Sequence, residues 1–322
     1  MKKGFDILVV GDANVDIIVK GINGKPTMGK EVLCRDFTTT VGGSASIFAY
    51  NASRLGSKVA MVGKIGRDHN GDFLLRQLES ANVDITHLVQ LEEFNTGATL
   101  VMEGEEDRAN VTYTGAMEYL SMDDVPLDMF MNTSHLHVSG VFFLPALKPH
   151  LVDLFGYTKG AGLTTSLDPQ SDPSNEWDLE LDKLLPYVDI FLPNEAELKT
   201  LTGYPDINLA LKSLNGLAKC TIVKRGSRGS LMYANGSTIE HQAYLSDALV
   251  DTVGAGDNFD AGFVHSFLNK TPLADCQDFG NLCGAVSTTR AGGVGALESY
   301  RKTIDFGKKH FGYKHNVMDT KS

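Results

Sequence analysis

The sequence predicts an α/β protein, with a mostly parallel sheet covered by helices and a small accessory sheet beside it. Three observations carry this. Short apolar runs alternate with longer amphipathic stretches along most of the chain. Several runs end at Gly, Asp, Pro or Asn, where parallel strands place ligand-facing loops. Two segments, roughly 15–40 and 96–114, break the alternation and supply the accessory sheet. With 322 residues, 42% of them hydrophobic, the chain can bury a large core. We read it as one domain over 1–322.

In chain order, Lys2 and Lys3 precede the apolar run Ile7–Val10, which is bracketed by Asp6 and by Gly11 and Asp12. So short a run is neither the core of a signal peptide nor a membrane span, and it reads as a buried first strand. Further strands are expected at Val59–Val62, His135–Val138, Thr164–Leu167, Ile190–Leu192 and Thr221–Val223. Helices are expected at Ser44–Leu55, Gly71–Ala81, Ala146–Gly160, Glu195–Thr202, Asp257–Leu268 and Asp275–Arg290, with Gly56 and Gly203 as stops. The run TGATLVMEGEEDRANVTYT, 96–114, reads as a hairpin with a charged turn. It is either a lid over the strand ends or a decoration. The residues from about Lys314 are polar and read as frayed.

The 29 basic and 40 acidic residues give a formal charge of −11, which argues against a nucleic-acid backbone binder and for small-molecule chemistry. No window approaches membrane-spanning length. Cys34, Cys220, Cys276 and Cys283 form no CxxC pair, so a reducing, cytoplasmic setting fits best.

The most informative run is DTVGAGDNFDAGFV, Asp251–Val264. Gly254, Ala255 and Gly256 carry little side-chain bulk, so their backbone N–H groups can converge on an anion at a helix start. Asp257 beside them can take a proton from a hydroxyl. Alone, the run is equally a glycine turn capped by an Asp. Gly42 and Gly43 open a second helix with Ser44, Ala45 and Ser46 in its first turn, which permits close approach by a ligand or merely meets a need for positive φ. Asp12, Asn14 and Asp16 alternate after the first strand and either address vicinal hydroxyls or shape a turn. Asn194 and Glu197 sit three apart at a strand–helix junction and suit either a hydrated Mg²⁺ or a capping box. Lys224 and Arg225 at a strand end, with Gly226 and Gly229, suit a nucleotide phosphate or a solvated hairpin turn.

Several chemistries lack their signatures. There is no GxxxxGKS or GxxxxGKT phosphate loop, no GxGxxG after the first strand and no GxSxG elbow. No HExxH accompanies His135, His137 or His265, which read as structural histidines.

Taken in order, the glycine pair Gly42–Gly43, the NEAE at Asn194–Glu197, the KRGSRG turn and DTVGAGD resemble the ribokinase-like, or phosphofructokinase-B, family of carbohydrate kinases. The resemblance implies a three-layer α/β/α sandwich with a small β-lid, formed here by about 15–40 and 96–114. It implies Asp257 as the catalytic base, with the Gly254–Asp257 backbone as the anion hole for the transferred phosphoryl group. It further implies Asp12, Asp16, Gly42 and Gly43 as sugar-binding positions, with Asn14 beside them. Asn194 and Glu197 would be the Mg²⁺-associated pair, and Asn194, Lys224, Gly226, Gly229, Gly254 and Gly256 nucleotide contacts. Asp251, Val253, Ser287, Arg290 and Gly292 fall where some members hold a monovalent cation such as K⁺. Phosphoryl transfer needs alignment, charge neutralisation and a base, and the chain offers residues for each.

Two departures bear on the acceptor. Ile47 stands where many relatives place an Asn. The pattern DPNxR appears as Asp168-Pro169-Gln170-Ser171-Asp172, with an acid in place of an anion-reading arginine. Asp172 would repel a phosphate or carboxylate and bond a neutral hydroxyl, although Arg108 in the charged hairpin remains available to an anion. The expectation is therefore an ATP- and Mg²⁺-dependent kinase of a neutral sugar, fructose or ribose foremost, acting as a homodimer. A nucleoside kinase and a catalytically silent sugar- or nucleotide-binding regulator are the alternatives.

Overall fold

Strand β1 (Phe5–Gly11) shows the architecture in miniature: Ile7 and Val9 belong to one buried apolar cluster, and the alternate Leu8 and Val10 to another on the opposite face. A strand apolar on both faces must lie inside a helix-covered sheet. The computed structural model, which describes residues 4–24, 26–103, 108–245 and 249–314, bears this out. The remaining strands are β2 (Asn14–Lys20), β3 (Asp36–Gly42), β4 (Val59–Gly66), β5 (Asp84–Leu91), β6 (Gly97–Glu103), β7 (Arg108–Tyr113), β8 (Thr133–Ser139), β9 (Thr164–Asp168), β10 (Ile190–Phe191), β11 (Cys220–Lys224), β12 (Ser230–Ala234) and β13 (Ser237–His241).

Nine strands form the main sheet in the order β13-β12-β11-β10-β9-β8-β1-β4-β5. All pairs from β11 to β5 are parallel, and β12 and β13 close one edge as an antiparallel hairpin. The helices are α1 (Ser44–Arg54), α2 (His69–Ser80), α3 (Leu151–Gly160), α4 (Leu181–Leu184), α5 (Glu195–Thr202), α6 (Ile207–Ser213), α7 (Ala255–Leu268), α8 (Leu273–Ser287) and α9 (Tyr300–His310). Helices α1, α2 and α7 pack on the Ile7 face of the sheet, and α3, α5 and α6 on the Leu8 face. Phe48, fully buried on α1, stacks on His137 with ring centroids 3.6 Å apart. Burying such a side chain is worth about 1.5–3 kcal/mol and fixes α1 against the sheet.

A separate four-stranded sheet, β3-β2-β6-β7, is built from the two irregular segments. Strand β2 pairs antiparallel with β3 and parallel with β6, and β6 pairs antiparallel with β7. Chain order reverses in the main sheet at β1, between β8 and β4, and β1 runs through Asp12 directly into the small sheet. The carboxyl ends of parallel strands at such a reversal are where α/β sheets bind ligands.

Some boundaries differ from expectation. Helix α3 begins at Leu151 rather than Ala146, because Pro149 lies in a 3₁₀ turn over Lys148–His150. Helix α7 begins at Ala255, which moves Asp257 from the helix start into the first turn. Strand β5 and helices α6 and α9 were not expected from periodicity. The tip of the charged hairpin, 104–107, and the tail from 315 lie outside the described residues. Among the described residues no helix is long and apolar enough to cross a membrane.

Candidate active site

The sharp turn from β1 into β2 is held by Asp12. Its Oδ2 accepts the Ser44 N–H at 3.0 Å and its Oδ1 the Ala45 N–H at 2.9 Å, while its own carbonyl accepts the Ser46 hydroxyl. Asp12 thus caps α1 from a distant strand. Burial, the largest cause, pushes its carboxyl up from the usual carboxylate range. Asn14 and Asp16 follow on β2, facing the glycine pair that joins β3 to α1. Gly43 has φ 80°, and a Cβ there would stand 2.6 Å from Asn14 Oδ1; one on Gly42 would stand 2.2 Å from Asp16 Oδ1. Both positions therefore require glycine so that Asn14 and Asp16 can pack against the turn. Gly43 thus shows the expected positive φ, and packing against β2 adds a second requirement at both positions.

Across from Asp12, Gly254 takes the left-handed conformation (φ 72°) and opens α7 with no side-chain cap. The Ala255 N–H bonds the Thr252 carbonyl at 3.3 Å, and the N–H groups of Gly256 and Asp257 in the first turn meet no side-chain cap. Asp257 is buried at 8% exposure, and its Oδ1 accepts two side-chain donors: the Ser44 hydroxyl and Gln170 Nε2 at 3.1 Å. Burial, then the neighbouring charge of Asp168, pushes the carboxyl up to about 7, against the pull of Ser44 and Lys224. A carboxylate poised there exchanges a proton at neutral pH.

These groups converge on a cavity of about 180 Å³. Asp12, Gly43, Ser44, Ile47, Gln170, Ser171, Val253, Gly254 and Asp257 line it from the main body, and Asn14, Asp16, Thr99, Val101, Asn110 and Thr112 from the small sheet. The small sheet therefore lies over the carboxyl ends of the strands as a lid. Asn14 donates to Thr99 Oγ1 at 2.9 Å, and its Oδ1 is buried without a partner.

The structure does not bring every expected residue to this cavity. Asp172 points away from it: its carboxylate accepts the N–H groups of Ser174 and Trp177 and the Ser174 hydroxyl, so it ties a local turn. Gln170 and Ser171 of the same segment take the wall instead. Arg108 begins β7, opposite Glu103, and its side chain lies outside the described residues. Lys224 contacts carboxylates rather than open solvent. Its Nζ lies 2.8 Å from Asp168 Oδ2 and 2.9 Å from Asp260 Oδ2.

Asn194 and Glu197 form a reciprocal capping box at α5, each taking up the other's polar groups. Burial and then Asp168 push Glu197 up to about 7. Among the described residues no three acidic, His or Cys side chains are placed to enclose a metal. Such a sparse donor set would suit only a Mg²⁺ that arrives on phosphate oxygens and keeps its waters.

Gly226 (φ 57°) has open space around it in the β11–β12 turn, whereas a Cβ on Gly229 would stand 2.0 Å from the His241 carbonyl oxygen. Gly229 thus serves close strand pairing. Asp251 is buried and accepts the N–H groups of Val253 and Gly292. Ser287 Oγ donates to the Gly284 carbonyl, and Arg290 to that of Gly295. His135 and His137 share Ser166 inside the sheet and are structural, as expected.

The sequence reading gave no role to Ser44, Gln170, Asp168 or Asp260. The signals available were an Asp-Pro-Gln run at a strand end and a hydroxyl directly after a glycine pair. Neither says which carboxylate it will meet.

A model described as the pfkB family carbohydrate kinase matches residues 5–299. A 2-dehydro-3-deoxygluconokinase of Bacillus subtilis is 30% identical over 285 residues, 84% of this chain and 87% of the relative. A ribokinase of Staphylococcus aureus is 26% identical, covering 90% of this chain and 96% of the relative. The structure of Arabidopsis thaliana ribokinase complexed with ribose and ATP superposes with a TM-score of 0.81 at 24% identity, over 94% of this chain and 98% of the other.

Proposed function

Since this chain belongs to the pfkB family of carbohydrate kinases, and is therefore a phosphotransferase, we propose that it transfers the γ-phosphoryl group of ATP to a hydroxyl of a small neutral sugar, fructose or ribose foremost, with Asp257 as the general base. The observation that carries this is the state of Asp257. Oδ1 is occupied by Ser44 and Gln170, which leaves Oδ2 to face the acceptor, in a carboxyl poised near neutrality.

In this reading the sugar hydroxyls bond Asp12, Asn14 and Asp16 with Gly42 and Gly43 behind them, under a lid that supplies Thr99, Asn110 and Thr112. The N–H groups of Gly254–Asp257 receive the charge that develops on the phosphoryl oxygens, a stabilisation that costs no reorganisation because the helix holds them. The nucleotide lies towards Asn194 and Gly226. Mg²⁺ supplies charge neutralisation on the phosphates when bound, with Glu197 as its acidic neighbour through water. Asp251, Val253, Ser287, Arg290 and Gly292 form the loop proposed for a monovalent cation.

Neutrality of the acceptor rests on the wall itself: among its described residues there is no Lys, Arg or His. A sugar acid of the kind named in the Bacillus relative would meet the carboxylates of Asp12 and Asp16 with no cation beside it among the described residues of the wall. The outer face of the lid supports a homodimer, since Phe37, Val111 and Tyr113 are exposed there at 62%, 59% and 52%. A cytoplasmic location fits four unpaired cysteines, Cys34 exposed and the rest buried.

A coupled ADP-release assay with neutral sugars, sugar acids, phosphosugars and nucleosides tests the proposal. Neutral sugars are expected to give the highest kcat/KM. A higher value for an acid, phosphosugar or nucleoside would overturn the substrate class. Binding without any turnover would favour the silent regulator.

A further inference from the structure

Beneath the turn that carries Asp257 lies a cation with no place in the scheme above. Lys224 Nζ bonds Asp168 Oδ2 and Asp260 Oδ2 at 2.8 and 2.9 Å, its side chain 11% exposed and theirs 1% each. The ammonium stands 3.5 Å from where a Cβ of Gly256 would be, so it lies directly below the turn, in contact range of it. From the same Asp168 oxygen the chain of contacts continues: Gln170 Nε2 donates to it at 2.6 Å and to Asp257 Oδ1 at 3.1 Å.

We propose that Lys224 is a positioning residue, an internal cation that balances the carboxylates around Asp257 and, through Asp168 and Gln170, holds the Asp257 carboxylate ready to accept a proton. This rests on the reading of Asp257 as the base. The groups facing Asp257 are Asp12 and Ser44 from the β1–α1 corner, Asp168 and Gln170 from the end of β9, Glu197 from α5 and Lys224 from β11, with Asp260 one helical turn along α7. Four of these seven groups are carboxyls (Asp12, Asp168, Glu197 and Asp260), and Lys224 is the positive charge that acts on Asp257. In a buried site each uncompensated carboxylate makes the next harder to ionise. Without the ammonium, Asp257 keeps its proton to higher pH.

A purely structural Lys224 would matter for stability alone, and a nucleotide contact would matter for ATP affinity. The positioning role predicts a different split. In Lys224→Met the rising limb of the kcat–pH profile moves up by at least one unit and kcat at pH 7 falls at least tenfold, while the calorimetric Kd for Mg·ATP stays within twofold. Removing one member of a buried ion pair is strongly destabilising. The double variant Lys224→Met with Asp260→Asn, which removes the pair together, therefore carries the same expected upward shift where the single variant does not fold. A folded variant whose limb stays at the wild-type position overturns the proposal, as does a tenfold loss of ATP affinity with an unmoved limb. Asp257→Asn is measured alongside. If it retains turnover, the base assignment fails and this proposal with it; if it is inactive while the Lys224 limb is unmoved, only the present proposal fails.

Discussion

Two buried aspartates face the same cavity from the N-terminal ends of two helices, and they are built for different work. Asp12 spends both carboxylate oxygens on the N–H groups of Ser44 and Ala45, so it is a cap that happens to border the ligand space. Asp257 receives both of its donors on a single oxygen and keeps the other. Burial raises the pKa of each. What separates them is the direction of their hydrogen bonds: a carboxylate with both oxygens on backbone N–H groups is held as a cap, whereas one whose donors sit on a single oxygen keeps the other for a substrate proton. Ser44 links the two, giving its N–H to Asp12 and its hydroxyl to Asp257.

That contrast can be broken from either side. Asp257→Asn is expected to lower kcat by 10²–10⁴-fold, the usual share of a general base, while raising thermal stability at pH 8. The sign follows from the proton balance. With a carboxyl at about 7 in the folded protein and 3.8 when unfolded, the folded state binds the extra proton between these values. Stability contributed by Asp257 is therefore complete below 3.8 and is lost as pH rises through 7. The Asn variant escapes that loss, and calorimetric melts at pH 5 and pH 8 would register its gain at the higher pH.

Asp12→Ala is expected to act the other way, costing about 1–2 kcal/mol of stability through two lost caps and raising the sugar KM more than it lowers kcat. Ser44→Ala keeps the Asp12 cap, which uses only its backbone, and deprives Asp257 of a donor that favours its ionised form. A pH–rate profile displaced upward by less than one unit is the expected result. The smallest effect on activity is expected for Asp172→Ala. Its carboxylate ties Ser174 and Trp177, so the melting temperature should fall while the sugar KM stays within twofold.

The fold and half of the site were legible in the sequence for one reason: strand-length apolar runs and glycine-flanked helix starts are local signals. Periodicity located β1, β8, β9 and β11, and the break in it located the lid. DTVGAGD sets a turn of small residues beside a carboxylate within seven residues of chain. Signals that depend on distant contacts were not legible. Asp172 and Gln170 are two residues apart on a loop, and only the backbone path, with Gln170 at φ 62°, decides which of them enters the cavity. Lys224 at a strand end suits a phosphate by sequence, and the carboxylates that hold it, Asp168 and Asp260, come from two other elements. The glycine pair at Gly42–Gly43 was found for its small size, yet the groups that require it, Asp16 and Asn14, lie on a neighbouring strand.

The central claim is that Asp257 accepts the acceptor's proton near neutral pH, and the kcat/KM of the wild-type enzyme for its best sugar, measured from pH 5 to 9 at saturating Mg·ATP, tests it most directly. The account predicts a profile that rises to a plateau with its midpoint near 7, and whose rising limb is absent from the residual activity of Asp257→Asn. A profile flat across that range, or a rising limb that survives in Asp257→Asn, would contradict it.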